Sequence, residues 1–446
     1  MRRASGYEEA SGLLARPDPL AAFEGEPALL ESIRNTFGEA LTPYQVAERI
    51  VADVRSSGDT AIRRYSSLIS HIDLDGLEVP RSALPDALAS MAPGLREALT
   101  LAAARIRYFH EQCMVRTGVQ FIDEQLGRVV LPLQRVGLYV PGGRYSYPSS
   151  VLMSAIPARV AGVNEVVVAT PPRANGTVAP ATLAACEIAG VDRVFAIGGA
   201  QAIAAMAYGT ESVPRVDKIC GPGNVFVTLA KKMVFGSVAI DSLAGPSEVL
   251  IIADATAPAE YCAADILAQA EHDPQAGVVL ITTSVDLADA VQREVEAQLA
   301  SLERRDAVRL ALERGVIAVV SDLNEAVRLS NEYGPEHLEL MVSDATSVAH
   351  SITSAGCICV GPDSPVVMGD YVDGPSHVLP TGGSARFSSV LGVHDFLKHS
   401  SIARLDSATM AALGTAAVTI ARSEGLEAHA RAVEKRLGTL RRNNPH

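Results

Sequence analysis

Residues 128–143 read RVVLPLQRVGLYVPGG, residues 166–169 VVVA, residues 193–201 RVFAIGGAQ and residues 216–224 VDKICGPGN. Each is a short apolar run, rich in β-formers, that gives way to Gly or Pro and then to a helical pattern. The runs lack the apolar–polar alternation of a half-exposed strand, so they predict strands covered on both faces. Helices are expected between them, over 149–161, 179–189, 200–208 and 225–234. Strands alternating with helices in this way predict an α/β fold with a parallel sheet.

The alternation continues down the chain. Strands are predicted at 248–253, 278–282, 316–320 and 357–360, and helices at 259–272, 285–304 and 323–333. A chain of 446 residues exceeds one average domain, and two successive α/β units fit it better than one oversized sheet. Upstream the pattern is helical. Thr42 and Pro43 mark a helix start, residues 44–56 and 59–70 show apolar spacing of three and four, and 94–112 forms a long Ala/Arg-rich helix. After Gly382 the chain turns Ser/Gly-rich, and residues 408–442 are again helical.

Composition narrows the function class. The net charge is −13, which disfavours nucleic acid and anionic membranes as partners, because phosphate contact needs clustered Lys and Arg. The basic segment Lys435–Arg442 reads as a solvated helix end. The longest uncharged run, Val194–Thr210, carries Gly198-Gly199 and Gln201 in its middle and reads as strand, turn and helix, not a membrane span. The six cysteines include no C-x-x-C pair, which suits a reducing compartment. Cys357 and Cys359 would share one face of a strand. The opening MRRASGYEEASG has no apolar core of a signal peptide, so a cytoplasmic location is expected.

The chemistry-bearing segments are individually ambiguous. Gly142-Gly143, Gly198-Gly199 and Gly221-Pro222-Gly223 each follow a strand and precede a helix, where backbone can approach a ligand at the carboxyl edge of a sheet. None is a G-x-G-x-x-G fingerprint, and tight βα turns explain each alone. Gln269 and His272 are three apart and share a helix face, as a metal-binding pair or as a satisfied helix end. Glu336 and His337 follow the Gly334-Pro335 break, as an acid–base dyad in a loop or a solvated turn. Asp370 and His377 lie in a Gly/Pro-bounded loop, where Asp370 is a hard metal ligand or a surface turn residue. Glu424 and His429 belong to a terminal helix.

Taken together the segments resemble one family. The run Ile240-Asp241-Ser242-Leu243-Ala244-Gly245-Pro246-Ser247-Glu248, continuing to Gln269-Ala270-Glu271-His272, is similar to the signature of histidinol dehydrogenases. So are Val136–Gly143, Gly198-Gly199-Ala200-Gln201, Gly221-Pro222-Gly223-Asn224, Gly334–Glu339 and His377-Val378-Leu379-Pro380-Thr381. The similarity runs in order from about Leu30 to Leu437.

The resemblance implies a zinc- and NAD-dependent oxidation of L-histidinol through L-histidinal to L-histidine, consuming two NAD, the last step of histidine biosynthesis. It implies one zinc per subunit on Gln269, His272 and Asp370, with His429 supplied by the partner subunit. It implies NAD against Tyr139, Gln201 and Asn224. Substrate would lie against Ser247, Gln269, His272, His337, His377, Asp370, Glu424 and His429, with Glu336 and His337 as the acid–base pair. The implied fold is two incomplete Rossmann-like units with helical N- and C-terminal extensions in an intertwined homodimer. Its regions are 1–128 packing with the second unit, 129–245 and 246–390 as the two units, and 391–446 contacting the partner.

Two departures from the family pattern lie near the expected substrate edge. Ser376 stands where Asn is usual before His377, and Arg144-Tyr145-Ser146 replaces a smaller sequence. They leave open a paralogous enzyme for another small amino- or sulfo-alcohol. Other readings are an aldehyde dehydrogenase with Cys262, Cys220 or Cys113 as nucleophile, and a scaffold that kept the fold.

Overall fold

The computed structural model describes residues 1–16, 26–143 and 146–443, so Arg144 and Tyr145 of the second departure lie outside the described residues. By contacts the chain forms two units: residues 1–114 with 133–396, and residues 115–132 with 397–446.

The larger unit holds two parallel sheets. In the first the spatial order is Arg193–Phe195, Glu165–Ala169, Arg135–Tyr139, Lys218–Cys220, Ala239–Ile240, every pair parallel. Counted along the chain this is 3-2-1-4-5, the winding of a Rossmann sheet. The second sheet repeats it: Val316–Val319, Gly277–Thr282, Glu248–Ala253, His337–Met341, Cys357–Val360, again parallel and again 3-2-1-4-5. Glu248–Ala253 is buried at all six positions, as a central strand covered on both faces must be.

Several boundaries differ from the sequence reading for identifiable reasons. The run RVVLPLQ does not enter the parallel sheet. Leu126–Pro132 pairs antiparallel with Leu397–Ala403 and Gly118–Phe121 in the smaller unit. Its burial alternates, unlike that of Arg135–Tyr139. The segment expected as one helix over 285–304 ends at Leu299, and a second helix spans Arg305–Arg314. The extreme N-terminus, unassigned from sequence, is a strand: Arg2–Ser5 adds to the edge of the second sheet beside Val316–Val319.

Residues 1–128 do not pack as one body on the second α/β unit. The helix Pro43–Ser70 buries Ile50, Val54, Ile62 and Tyr65 in one core with Phe195, Ile203 and Met206 of the first. Its start is as expected: Thr42 and Gln45 form a reciprocal capping box, with Pro43 at the first helical position. The two helices expected over 44–56 and 59–70 form one element, kinked where Gly58 takes φ 51°.

Candidate functional site

The two strand orders place two different edges in play. At the switch point of the first sheet, Arg135–Tyr139 and Lys218–Cys220 lie side by side, and their carboxyl ends lead into Gly142-Gly143 and Gly221-Pro222-Gly223. This is the edge at which open α/β sheets bind ligands. Tyr139 is buried, and its hydroxyl accepts the Gly199 N–H at 3.1 Å, tying two of the glycine turns together. Burial pushes the phenol up to about 12, so it stays protonated. Gln201, two residues after Gly199, is buried, and its Oε1 has no partner. Asn224 caps the helix Val225–Val234, accepting the N–H groups of Phe226 at 3.1 Å and Val227 at 3.2 Å.

The second sheet carries its polar cluster at the opposite edge. His337 is not in a loop: it opens the central strand His337–Met341, beside Val249 of the neighbouring strand, and Glu336 precedes it. The sequence reading stopped at the Gly334-Pro335 break, and the strand behind it, His337-Leu338-Glu339-Leu340-Met341, looks amphipathic although every residue is buried. Glu336 and His337 thus sit at the amino edge of this sheet.

The backbone of Glu248 holds both members of the dyad. Its N–H donates to Glu336 Oε2 at 2.7 Å, and its carbonyl lies 3.1 Å from His337 Nδ1. A carbonyl only accepts, so Nδ1 carries the ring proton and Nε2 of the neutral ring keeps its lone pair. Burial holds the His337 imidazole below its ordinary pKa, which preserves that neutral form. Burial pushes the Glu336 carboxyl well above the usual carboxylate range, with the Glu248 N–H opposing and the Glu248 and Asp370 charges adding to it.

Glu248 is itself fixed by a residue the sequence reading did not single out. Arg16 donates to its two carboxylate oxygens at 3.0 and 2.5 Å and to the Tyr333 carbonyl at 2.8 Å, while Gly382 N–H donates to Oε1 at 2.5 Å. Arg16→Ala leaves a buried carboxylate without its cation. A loss of about 3 kcal/mol in denaturant unfolding is expected, because removing one partner of a buried pair strands the other. A loss below about 0.5 kcal/mol, the scale of an exposed pair, would contradict this reading.

Asp370 faces the dyad. It lies in the short helix Val366–Tyr371, not in the loop expected from its Gly/Pro setting. Pro365 starts that helix, and Glu339 Oε1 accepts the Val366 N–H at 2.8 Å, so the strand that begins with His337 also anchors the element carrying Asp370. Asp370 Oδ1 is 3.9 Å from His337 Nε2 and its Oδ2 is 3.9 Å from His272 Nε2. His272 lies in the turn just past the helix Ala259–Ala270, its N–H on the Gln269 carbonyl at 3.2 Å, with its side chain 45% exposed. Gln269 is buried, and its Nε2 has no partner.

These contacts bear on metal binding. A separation of 3.9 Å is too long for a hydrogen bond. Two donors each about 2.0–2.2 Å from one ion span that distance. A carboxylate, an imidazole and the amide oxygen of a buried Gln would make an oxygen–nitrogen donor set suited to a divalent metal. Among the described residues no three His, Cys, Asp or Glu side chains form a complete site. His429 and Glu424 belong to the smaller unit, both exposed: Glu424 ends the helix Ser407–Ser423 and His429 lies in the first turn of Glu427–Asn443.

The remaining site residues gather around the same cluster. The Ser247 side chain lies by the Glu336 carboxyl and favours its charged form. His377 Nδ1 donates to the Asp370 carbonyl at 2.9 Å, and its Nε2 is 3.2 Å from Ser150 Oγ. Ser376 points away: its hydroxyl donates to the Met153 carbonyl at 3.1 Å and accepts the Val378 N–H at 3.2 Å. The departure at this position is therefore a loop-packing contact.

The cysteine nucleophile has no support here. Cys262 and Cys220 are fully buried, and burial pushes the Cys262 thiol up to about 12 and holds the Cys220 thiol well above its ordinary range. Cys113 is exposed at the end of the helix Pro93–Gln112. Cys113→Ala and Cys262→Ala are each expected to keep turnover within about twofold of wild type, since burial denies Cys262 the thiolate a nucleophile needs and Cys113 sits exposed at a helix end outside the Glu336–His337 cluster. Abolished turnover in either would revive that chemistry.

The family model described as histidinol dehydrogenase matches residues 38–437. A histidinol dehydrogenase of Dehalococcoides mccartyi (strain CBDB1) is 51% identical over 98% of this chain and 100% of its own length. One from Lactiplantibacillus plantarum is 47% identical over 92% of this chain and 97% of its own. The crystal structure of histidinol dehydrogenase from Elizabethkingia anophelis superposes with a TM-score of 0.89 at 33% identity, covering 99% of this chain and 98% of that one. The chain belongs to the histidinol dehydrogenase family.

Proposed function

We propose that the protein oxidises L-histidinol to L-histidine in two NAD-dependent steps, as the last reaction of histidine biosynthesis in the cytoplasm. The observation that carries the reading is the Glu336–His337 dyad locked on the Glu248 backbone, with the free Nε2 of His337 turned toward Asp370.

In the first step His337 Nε2 accepts the hydroxyl proton while a hydride passes from the alcohol carbon to NAD, giving the aldehyde, NADH and a proton. In the second, Glu336 takes a proton from water as its oxygen adds to the aldehyde. The hydrate then loses a hydride to a second NAD, so that alcohol, water and two NAD yield carboxylate, two NADH and the released protons. Gln269, His272 and Asp370, with His429 of the partner subunit, would hold zinc, which supplies a charged template for the substrate's nitrogens. Ser247, Glu424 and His377 complete the grip on substrate. His377 Nε2 is shared with Ser150, so Ser150 must yield when substrate arrives. Tyr139, Gln201 and Asn224 would hold NAD.

A ligand from a second subunit requires a homodimer, which region 391–446 would join. The smaller unit supports this with exposed apolar side chains, among them Phe121, Leu413, Ile420 and Ile122, the last 82% exposed. No helix among the described residues is long and apolar enough to cross a membrane.

The test is a substrate assay with product counting. Purified protein with zinc and NAD is given L-histidinol and a panel of small amino- and sulfo-alcohols. Two NADH for each L-histidine formed are expected. Turnover of another alcohol with none of L-histidinol would replace this reading by that of a paralogue.

A further inference from the structure

The deepest ion pair among the described residues lies away from the dyad. Lys231 and Asp241 have side chains 2% and 5% exposed and contact each other directly. A pair so buried stabilises a fold little better than apolar side chains of the same size. What sets this one apart is that both members grip the same residue. Asp241 Oδ2 accepts the Gly221 N–H at 2.6 Å, and Lys231 Nζ donates to the Gly221 carbonyl at 3.0 Å. The other oxygen of Asp241 accepts from Lys231 and from the Ser242 N–H at 2.7 Å.

Gly221 begins the Gly221-Pro222-Gly223 turn at the switch point of the first sheet. Its φ is 110°, and a Cβ there would lie 2.1 Å from the Tyr139 carbonyl oxygen. The turn is thus wedged against the end of the neighbouring strand, and two side chains satisfy the polar groups of its first residue. Lys231 comes from the helix that the turn opens, and Asp241 follows the edge strand Ala239–Ile240. Thr228 of the same helix donates to the Ala244 carbonyl at 3.0 Å, fastening the helix to the segment that leads to Ser247.

We propose that Lys231 and Asp241 are positioning residues for the dinucleotide. They hold the Gly221 backbone, and through it the turn and the Asn224 cap, in the conformation that receives NAD. This rests on the reading that NAD lies along Tyr139, Gln201 and Asn224.

The double variant Lys231→Met/Asp241→Leu tests it, because an apolar pair keeps the packing and removes both hydrogen bonds to Gly221. Asp241→Asn is measured beside it, since one amide cannot accept from both Gly221 N–H and Lys231. Thermal midpoints, NAD dissociation constants and the KM for L-histidinol are measured on the full-length protein. NAD binding is expected to weaken about tenfold or more, the scale of one or two lost buried hydrogen bonds, with the KM for L-histidinol unchanged. The proposal is overturned if whichever variant retains the wild-type thermal midpoint also retains wild-type NAD affinity, or if the two substrates' constants rise together. A wild-type protein that binds no NAD in the control titration defeats the underlying reading instead.

Discussion

Replacing Glu336 by Gln is expected to slow oxidation of the aldehyde by roughly 100- to 10,000-fold, the range that a positioned general base supplies. Oxidation of the alcohol, assigned above to His337, is expected to fall less than about tenfold. The amide is the same size and keeps an oxygen for the Glu248 N–H, so the variant removes a proton acceptor and little else. Single-turnover measurements starting from L-histidinol and from L-histidinal separate the two steps. Equal losses in both, or no loss in the second, would refute the assignment.

The same variant has a pH signature. Burial raises the Glu336 pKa, so the wild-type aldehyde step climbs with pH as the buried carboxyl ionises, and that ionisation is absent from the Gln profile. Stability moves the other way. A folded-state pKa above the unfolded value of about 4.3 means stability is fully present below that value and declines as pH rises through the folded pKa. Substrate-free protein should therefore show a falling denaturation midpoint across that window, flattened by Glu336→Gln.

Asp370→Ala is expected to lower turnover by more than about 100-fold and to cost the protein its zinc. The estimate is a lower bound from the 10- to 100-fold effect of residues that merely support metal ligands. Asp370 is 13% exposed and stands between His272 and His337, 3.9 Å from each ring. Its removal takes the only carboxylate from the candidate donor set. Chelation of the wild type should reproduce the loss, and added zinc should reverse it in the wild type but not in the variant. Metal content by mass spectrometry decides: an Asp370→Ala protein with full zinc and wild-type turnover would remove Asp370 from the site. Size-exclusion chromatography beside it tests whether metal and dimer are lost together.

Much of the fold was readable along the chain because a buried parallel strand has a local signature. Runs such as VVVA at 166–169 and VLIIA at 249–253 are apolar without alternation, which only a strand covered on both faces tolerates. Val225–Val234, Leu323–Tyr333 and Cys357–Val360 form over the residues expected. The exceptions are places where local pattern and tertiary partner disagree. RVVLP resembles its neighbour RVGLY in composition, yet it pairs with Leu397–Ala403, more than 260 residues on, and nothing in five residues specifies so distant a partner. Arg2–Ser5 looks polar because it is an edge strand.

The site divides along the same line. Sequence by itself determined the alternation of buried strands and helices in two parallel α/β units, the glycine turns that end their strands, and, through family motifs, which side chains are candidates for chemistry. Tertiary structure alone decided that Glu336 and His337 stand at the amino edge of a central strand. It also decided that the Glu248 backbone fixes the tautomer of His337, that Arg16 secures Glu248, and that Asp370 is presented between two imidazoles. Propensity and periodicity act within a few residues. The orientation of a proton or a lone pair depends on atoms brought together from positions 16, 248, 337 and 370, and only the folded chain sets those distances.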